Sequence, residues 1–336
     1  MKPLSVDLAE TITKGDFSDH TVTVVGYGNM GRQYVEALQR LKVGKIVVCS
    51  RSPEPLNELK NVSAVEVIGD GLEGLFGRVS EKELVVVSTP PDVLVSVSEE
   101  LLNFGYRRML IEKPVSLKAD EIFRLDKSAE RLDVLAVCGF NRVAFPSFVE
   151  VLGLCSREGG VTSFNYEFTE LVKSDWTDRF PPQELARWGV ANSMHVLSMA
   201  HGLGGFPLEW KSHRTGMLKW HPSGSIFVGS GISENGAAFS YHADWGSKGR
   251  WSVEVKTSES SYKLCPLERV FRKISGTGDY EEIPVTVFAP DIKPGLLEQV
   301  AAMLDDKTRT YVPLMSLNDA ARLTQYAQSV FGYSEE

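Results

Sequence analysis

The sequence lacks several features that would assign it quickly to a class. It has no run approaching the roughly 20 apolar residues that a membrane helix needs. It has no CxxC pair, and its histidines form no HxxxH or HExxH spacing. Its four cysteines, Cys49, Cys138, Cys155 and Cys265, are scattered. Free thiols in a reducing compartment fit them better than disulfides or a metal site, so no metal is expected. Residues 1–10 hold one lysine and no apolar stretch, so no secretory leader is expected and the expected location is cytoplasmic. Internal repeats and low-complexity linkers are missing as well. Basic charge is in deficit, with 36 Lys and Arg against 44 Asp and Glu, a net charge of −8. That sign repels phosphate backbones and anionic lipid. The expected partner is therefore a small molecule, not nucleic acid or membrane.

What is present reads as globular. Hydrophobic residues make up 43% and charged residues 24% of the 336, which suits folded domains and excludes a disordered or fibrous chain. The length suits two domains. Short Val/Ile/Leu runs at 21–26, 45–50, 64–68, 84–88 and 109–112 alternate with helical patterns at 30–41, 53–59 and 92–104. Runs buried on both faces and separated by helices predict a doubly wound parallel sheet. A helix at 118–131, a strand at 134–139 and a helix at 146–156 follow. Beyond residue 161 the pattern changes. Segments 161–169, 225–230, 237–241, 251–257 and 260–265 alternate or carry aromatics between Gly-containing turns, which predicts a large, mostly antiparallel sheet. Helical stretches at 192–201 and 317–331 flank it. The expected fold is α/β: an N-terminal Rossmann domain over 1–120, with a short extension at 1–20, then an α+β substrate domain over 121–336.

Gly26-Tyr27-Gly28-Asn29-Met30-Gly31 follows the first strand and opens the first helix. Gly26 permits the tight turn, Gly28 lets a pyrophosphate approach the backbone, and Gly31 allows close packing of helix on strand. The helix N-terminus offers free N–H groups and partial positive charge to the phosphates. With strand before and helix after, the motif predicts a dinucleotide site. The second strand ends at Ser50-Arg51-Ser52, without the carboxylate that would accept from a ribose 2′-hydroxyl. An arginine with two hydroxyls suits a 2′-phosphate, so NADP(H) is expected over NAD(H). The fourth strand ends at Ser88-Thr89-Pro90, on the nicotinamide side of the expected crevice. The fifth ends at Glu112-Lys113-Pro114, where partial burial would let a lysine exchange a proton near neutrality.

These motifs together resemble the Gfo/Idh/MocA oxidoreductases, well over the Rossmann half and more loosely to the C-terminus. The resemblance implies that Lys113 lies between substrate hydroxyl and nicotinamide as a catalytic residue, with Glu112 on the cofactor side. It also implies that Asn141 contacts the cofactor and Arg142 the substrate or an anion. The family commonly carries an Asp four residues before a His and a second Asp three after it. Here His195 takes the histidine position, while Ala191 and Ser198 stand where the carboxylates would be. Asn192 is three residues before His195, on the same helix face. This Asn-Ser-x-His form resembles one sub-branch of the family.

The resemblance implies hydride transfer to or from a carbonyl or hydroxyl carbon of a sugar, polyol, sugar nucleotide or related molecule, with Lys113 and His195 handling the proton. Asp175, Trp176, Arg179 and Trp188 precede the histidine in an irregular aromatic stretch. Trp176, Trp188 and Arg179 are candidates for stacking on a ring and pairing an anion. Two other readings stay open: an imine or ring reductase on the same fold, and a catalytically silent dinucleotide sensor, which the missing carboxylates would suit. Association of copies through the second-domain sheet is also implied.

Overall fold

The computed structural model describes residues 2–274 and 278–334. Six strands, β1 (Thr21–Val25), β2 (Lys45–Cys49), β3 (Val65–Ile68), β4 (Leu84–Val87), β5 (Arg108–Ile111) and β6 (Leu135–Cys138), form a wholly parallel sheet. Their order is β3-β2-β1-β4-β5-β6, so the direction of strand addition reverses beside β1. Every residue of β1 and β4 is buried, as expected for strands covered on both faces. The helix Asn29–Arg40 presents Gly31, Tyr34, Val35 and Leu38 to the core, at the spacing of one helical face.

The remaining strands are β7 (Ser163–Glu167), β8 (Pro207–Thr215), β9 (Ile226–Ser233), β10 (Ala238–Asp244), β11 (Ser252–Lys256), β12 (Ser260–Leu264), β13 (Val270–Ile274) and β14 (Glu281–Ile283). They form a second sheet in the order β14-β13-β12-β11-β7-β10-β9-β8. All its pairs are antiparallel except β7 with β10, so the predicted fold class holds. Its core is aromatic: Phe164 and Tyr166 of β7 and Phe168 just past it are buried with Phe227, Phe239, Tyr241, Tyr326 and Phe331.

The chain forms two compact units. The Rossmann unit holds Leu8–Ala144 and Phe288–Ala321; the sheet unit holds the segment ending at Asp7, Phe145–Val287 and the segment from Arg322. The division differs from the expected boundary at residue 120. β6 pairs with β5, and the chain returns to add the helix Leu296–Leu304, which packs on the helix Asn29–Arg40.

Two local expectations are also corrected. Residues 54–59 form a 3₁₀ helix, Glu54–Leu59, not an α-helix. Its only buried residues, Leu56 and Leu59, are three apart, which suits three residues per turn, and Pro55 withholds an N–H. The helix around 192–201 starts earlier as a π-helical turn, Gly189–Ser193, and continues as Met194–Gly204. The leading segment, for which the sequence suggested nothing, forms the helix Leu4–Lys14 with Leu8 and Ile12 buried. No helix among the described residues is long and apolar enough to cross a membrane.

Candidate active site

The glycine turn is built as its motif requires. Gly26 has φ of +95°, and a Cβ there would lie 2.6 Å from the Ser88 carbonyl oxygen, so only glycine fits. A Cβ on Gly31 would lie 2.1 Å from the Gly26 carbonyl oxygen. Around Gly28, by contrast, a Cβ would meet nothing within 4 Å. That open face lies before the first turn of the helix Asn29–Arg40, whose leading N–H groups have no intrahelical partner. Ser88 Oγ donates to the Gly26 carbonyl at 2.8 Å and holds the turn against the end of β4. Thr89 Oγ1 is buried without a hydrogen-bond partner among the described residues. An open backbone cradle beside an orphaned buried hydroxyl fits a bound polar ligand such as a dinucleotide.

Tyr27 is tied to the 3₁₀ helix Glu54–Leu59. Its hydroxyl donates to Glu58 Oε1 at 2.7 Å, and Arg32 pairs with the same carboxylate while its guanidinium lies 4.6 Å from the Tyr27 ring centroid. Burial and the Glu58 carboxylate push the Tyr27 hydroxyl pKa up. At the β2 tip, the Ser50 amide donates to the Ile68 carbonyl at 3.0 Å and the Ser52 amide to Ser50 Oγ at 3.3 Å. Arg51 is exposed and forms no ion pair among the described residues. Asn29 Oδ1 accepts from Gln33 at 3.0 Å, and Pro90 is exposed.

Glu112 is buried at the end of β5. The Tyr34 hydroxyl donates to its Oε1 at 2.6 Å, and the Lys113 amide donates to its Oε2 at 3.2 Å. Burial raises the Glu112 carboxyl pKa; the Tyr34 hydrogen bond, Lys113 and Lys293 oppose that rise. Lys113 is half-buried and precedes a cis proline. Asn141 is buried with both ends of its amide engaged: Nδ2 donates to the Pro294 carbonyl at 2.9 Å, and Oδ1 accepts from Arg142 at 2.8 Å. Lys293, Tyr34 and Glu58 were not legible as site residues. Only Tyr34 carried a signal, lying three residues past Gly31 on the same helix face.

In the sheet unit, His195 is buried on the helix Met194–Gly204, its ring centroid 5.8 Å from that of Trp251. Ser198 is buried too, and its hydroxyl donates to the His195 carbonyl at 3.2 Å. No carboxylate stands at Ala191 or Ser198, but one that the sequence did not reveal bonds to the same motif. Glu170, just past β7, is buried; its Oε2 accepts from Asn192 Nδ2 at 2.9 Å and its Oε1 from Ser193 Oγ at 2.7 Å. Adjacent residues on an α-helix point apart. Here they sit in the wider π turn, and both reach one carboxylate.

Glu170 lines a cavity of about 490 Å³ with Trp176, Arg250 and Trp251. Trp176 and Trp188 are buried, with ring centroids 4.4 Å apart. Trp188 also packs on Phe180 at 4.9 Å and belongs to an aromatic cluster with Trp220. Arg179 is exposed and paired with Asp175 at 3.4 Å.

Residues 20–140 match the profile GFO_IDH_MocA, described as an oxidoreductase family with an NAD-binding Rossmann fold. This segment is a Gfo/Idh/MocA Rossmann domain. The resemblance read from Gly26–Gly31, Ser88–Pro90 and Glu112–Pro114 therefore holds over the segment that carries those motifs. No curated protein matches the chain.

Solved structures share its fold over nearly the full length. UDP-N-acetylglucosamine 3-dehydrogenase GnnA from Acidithiobacillus ferrooxidans is 16% identical with a TM-score of 0.71, over 94% of this chain and 97% of that one. An oxidoreductase from Agrobacterium radiobacter, solved with NAD+, L-tartaric acid and magnesium, is 13% identical with a TM-score of 0.73, over 93% and 95%. Levoglucosan dehydrogenase, solved with NADH and levoglucosan, is 16% identical with a TM-score of 0.70, over 92% and 95%. The two carboxylates expected around the histidine are absent at Ala191 and Ser198, and Glu170 is bonded to Asn192 and Ser193.

Proposed function

We propose that this protein is an NADP(H)-dependent oxidoreductase acting at a hydroxyl or carbonyl carbon of a hydroxylated small molecule, such as a sugar, polyol or sugar nucleotide. The observation that carries this reading is the half-buried Lys113 directly after the buried, Tyr34-bonded Glu112, in the same unit as the open Gly26–Gly31 cradle. When bound, the nicotinamide supplies or accepts the hydride. The helix start at Asn29, Met30 and Gly31 holds the diphosphate. Exposed Arg51, with Ser50 and Ser52, favours a 2′-phosphate through charge and hydroxyl donors. Ser88, Thr89 and Pro90 shape the edge of the site, and the unpartnered Thr89 hydroxyl is a donor or acceptor for the cofactor.

Lys113 exchanges the proton at the substrate oxygen, and His195 is the second group able to give or take it. Glu112 keeps its carboxylate beside Lys113. Asn141 acts as a brace, because both ends of its amide are already bonded, and it orients Arg142 toward an anionic group. Trp176 offers an aromatic wall to a hydroxylated ring, with Trp188 packed behind it and Asn192 orienting Glu170. Arg179 meets an anionic substituent. Sugar chemistry is favoured because two of the similar folds belong to dehydrogenases named for a sugar nucleotide and for levoglucosan. Association of copies through the second sheet is part of the same proposal, and its outward residues Leu208, Val228 and Ile232 are exposed.

Titration with NADPH and NADH by fluorescence, followed by keto-sugars and sugar nucleotides with the reduced cofactor monitored by absorbance, tests this reading. Tighter NADPH binding with turnover of one compound supports it. Binding of both cofactors without turnover across the panel moves the weight to a silent dinucleotide sensor.

A further inference from the structure

Lys293 lies far along the chain from every sequence motif, yet it is built into the Rossmann unit. Its Nζ sits 3.1 Å from Met30 Sδ, at the first turn of the cradle helix. It also interacts electrostatically with Glu112, at the end of β5, and with Arg142. Its backbone is well anchored. The next residue, Pro294, accepts the Asn141 hydrogen bond, and Gly295, at φ of +81°, starts the helix Leu296–Leu304 with its amide donating to Glu298 Oε2 at 3.1 Å. That helix packs on the helix Asn29–Arg40.

The ammonium is poorly satisfied where it stands. A lysine has three donors, and a thioether is a weak acceptor. Among the described residues that thioether is its one hydrogen-bond partner. Glu112 forms no hydrogen bond with it among the described residues; the Glu112 oxygens accept from Tyr34 and from the Lys113 amide. Half-burial disfavours the charged form, and Arg142 adds to that effect. A desolvated cation held in this state is stabilised by an anion arriving from outside. The anion is also constrained by its surroundings: the same helix turn directs free N–H groups and partial positive charge to one place.

We propose that Lys293 is a further dinucleotide-binding residue, which completes the phosphate cradle by binding the diphosphate. The inference rests on the dinucleotide-binding reading above and extends it to a residue outside the matched segment. It assigns Lys293 a role separable from that of Arg51: Lys293 serves NADH and NADPH alike, whereas Arg51 discriminates between them.

The test is fluorescence titration of the full chain with NADH, NADPH, ADP-ribose and AMP, comparing wild type with Lys293→Met and Lys293→Gln. A charged hydrogen bond of this kind predicts about tenfold weaker binding of NADH, NADPH and ADP-ribose, with AMP unchanged because it has no diphosphate. A second measurement needs no variant. ADP-ribose should protect Lys293 of the wild-type chain from acetylation, read by mass spectrometry.

Unchanged affinity for NADH and ADP-ribose overturns the proposal, as does an absence of protection. Loss confined to NADPH also overturns it, because Lys293 would then read the 2′-phosphate. Wild-type chain that binds none of the four probes would overturn the dinucleotide reading itself, and the proposal with it.

Discussion

The Tyr34 hydroxyl donates a 2.6 Å hydrogen bond to Glu112 Oε1, joining the cradle helix to the end of β5. Both groups are buried, so neither has water as a substitute. Tyr34→Phe removes the donor and keeps the ring. It should cost about 1–3 kcal/mol, the penalty for an under-satisfied buried acceptor. The deficit should depend on pH. Burial already raises the Glu112 pKa, and loss of Tyr34 raises it further. A carboxyl raised in the folded state contributes most below its unfolded pKa and loses that contribution as pH rises. The Tyr34→Phe deficit should therefore be larger at pH 8 than at pH 5 in urea denaturation. A deficit independent of pH would mean that the Tyr34 hydroxyl does not act on the Glu112 charge.

Arg51 is exposed and forms no ion pair among the described residues, so its removal should leave the fold intact. Arg51→Ala should weaken NADPH binding about tenfold or more while NADH binding changes little, as expected for loss of a charge-assisted contact to phosphate. Equal losses for both cofactors would remove the basis for the NADP(H) preference.

Features local in the sequence were the legible ones. Gly26, Gly28 and Gly31 are diagnostic because their spacing is set within one turn of chain. Lys113 was legible as a candidate because it follows closely on a strand. Glu170 and Lys293 were hidden because each joins its site only through tertiary packing: Glu170 lies more than twenty residues before Asn192, and Lys293 returns after the whole second sheet. β8, β13 and β14 were hidden for another reason. They lie at or near the sheet edges, and their mostly exposed or half-buried residues show no clean apolar alternation. The π turn at Gly189–Ser193 was missed at its first three residues, and Asn192 and Ser193 were read as the start of a plain helix, since hydrophobic period alone does not separate the two.

Glu170 should be coupled energetically to the motif it braces. Glu170→Ala leaves the Asn192 amide and Ser193 hydroxyl unsatisfied, at a cost of about 1–3 kcal/mol. Ser193→Ala removes one of the same contacts. In a double-mutant cycle the two changes should therefore sum to less than additively, by about 0.5 kcal/mol or more. Additive losses in denaturant midpoints would mean that the 2.7 Å contact contributes nothing of its own.

His201 and Glu298 give the protein two opposite acid responses, one in each unit. His201 is buried; its Nδ1 faces the Gly205 carbonyl at 3.0 Å and its Nε2 the Tyr166 hydroxyl at 3.2 Å, which itself meets Tyr326 at 2.8 Å. A carbonyl can only accept, so Nδ1 carries the proton in the neutral ring. Burial lowers its pKa from 6.5 to about 4. The unfolded chain then binds more protons across that window, so this contribution is complete above pH 6.5 and is lost as pH falls toward 4. Burial raises the Glu298 pKa from 4.5 to about 7, so its contribution is complete below pH 4.5 and is lost as pH rises toward 7.

Each slope is at most about 1.4 kcal/mol per pH unit. In the wild type the two largely cancel between pH 4.5 and 6.5. Single variants should unmask them. As pH falls through that range, His201→Gln should lose less stability than wild type. As pH rises through it, Glu298→Gln should lose less than wild type. Chemical denaturation at pH 4.5, 5.5, 6.5 and 7.5 measures both. If the units unfold separately, each variant should move only its own transition. Three parallel stability curves would mean that neither group titrates differently on folding.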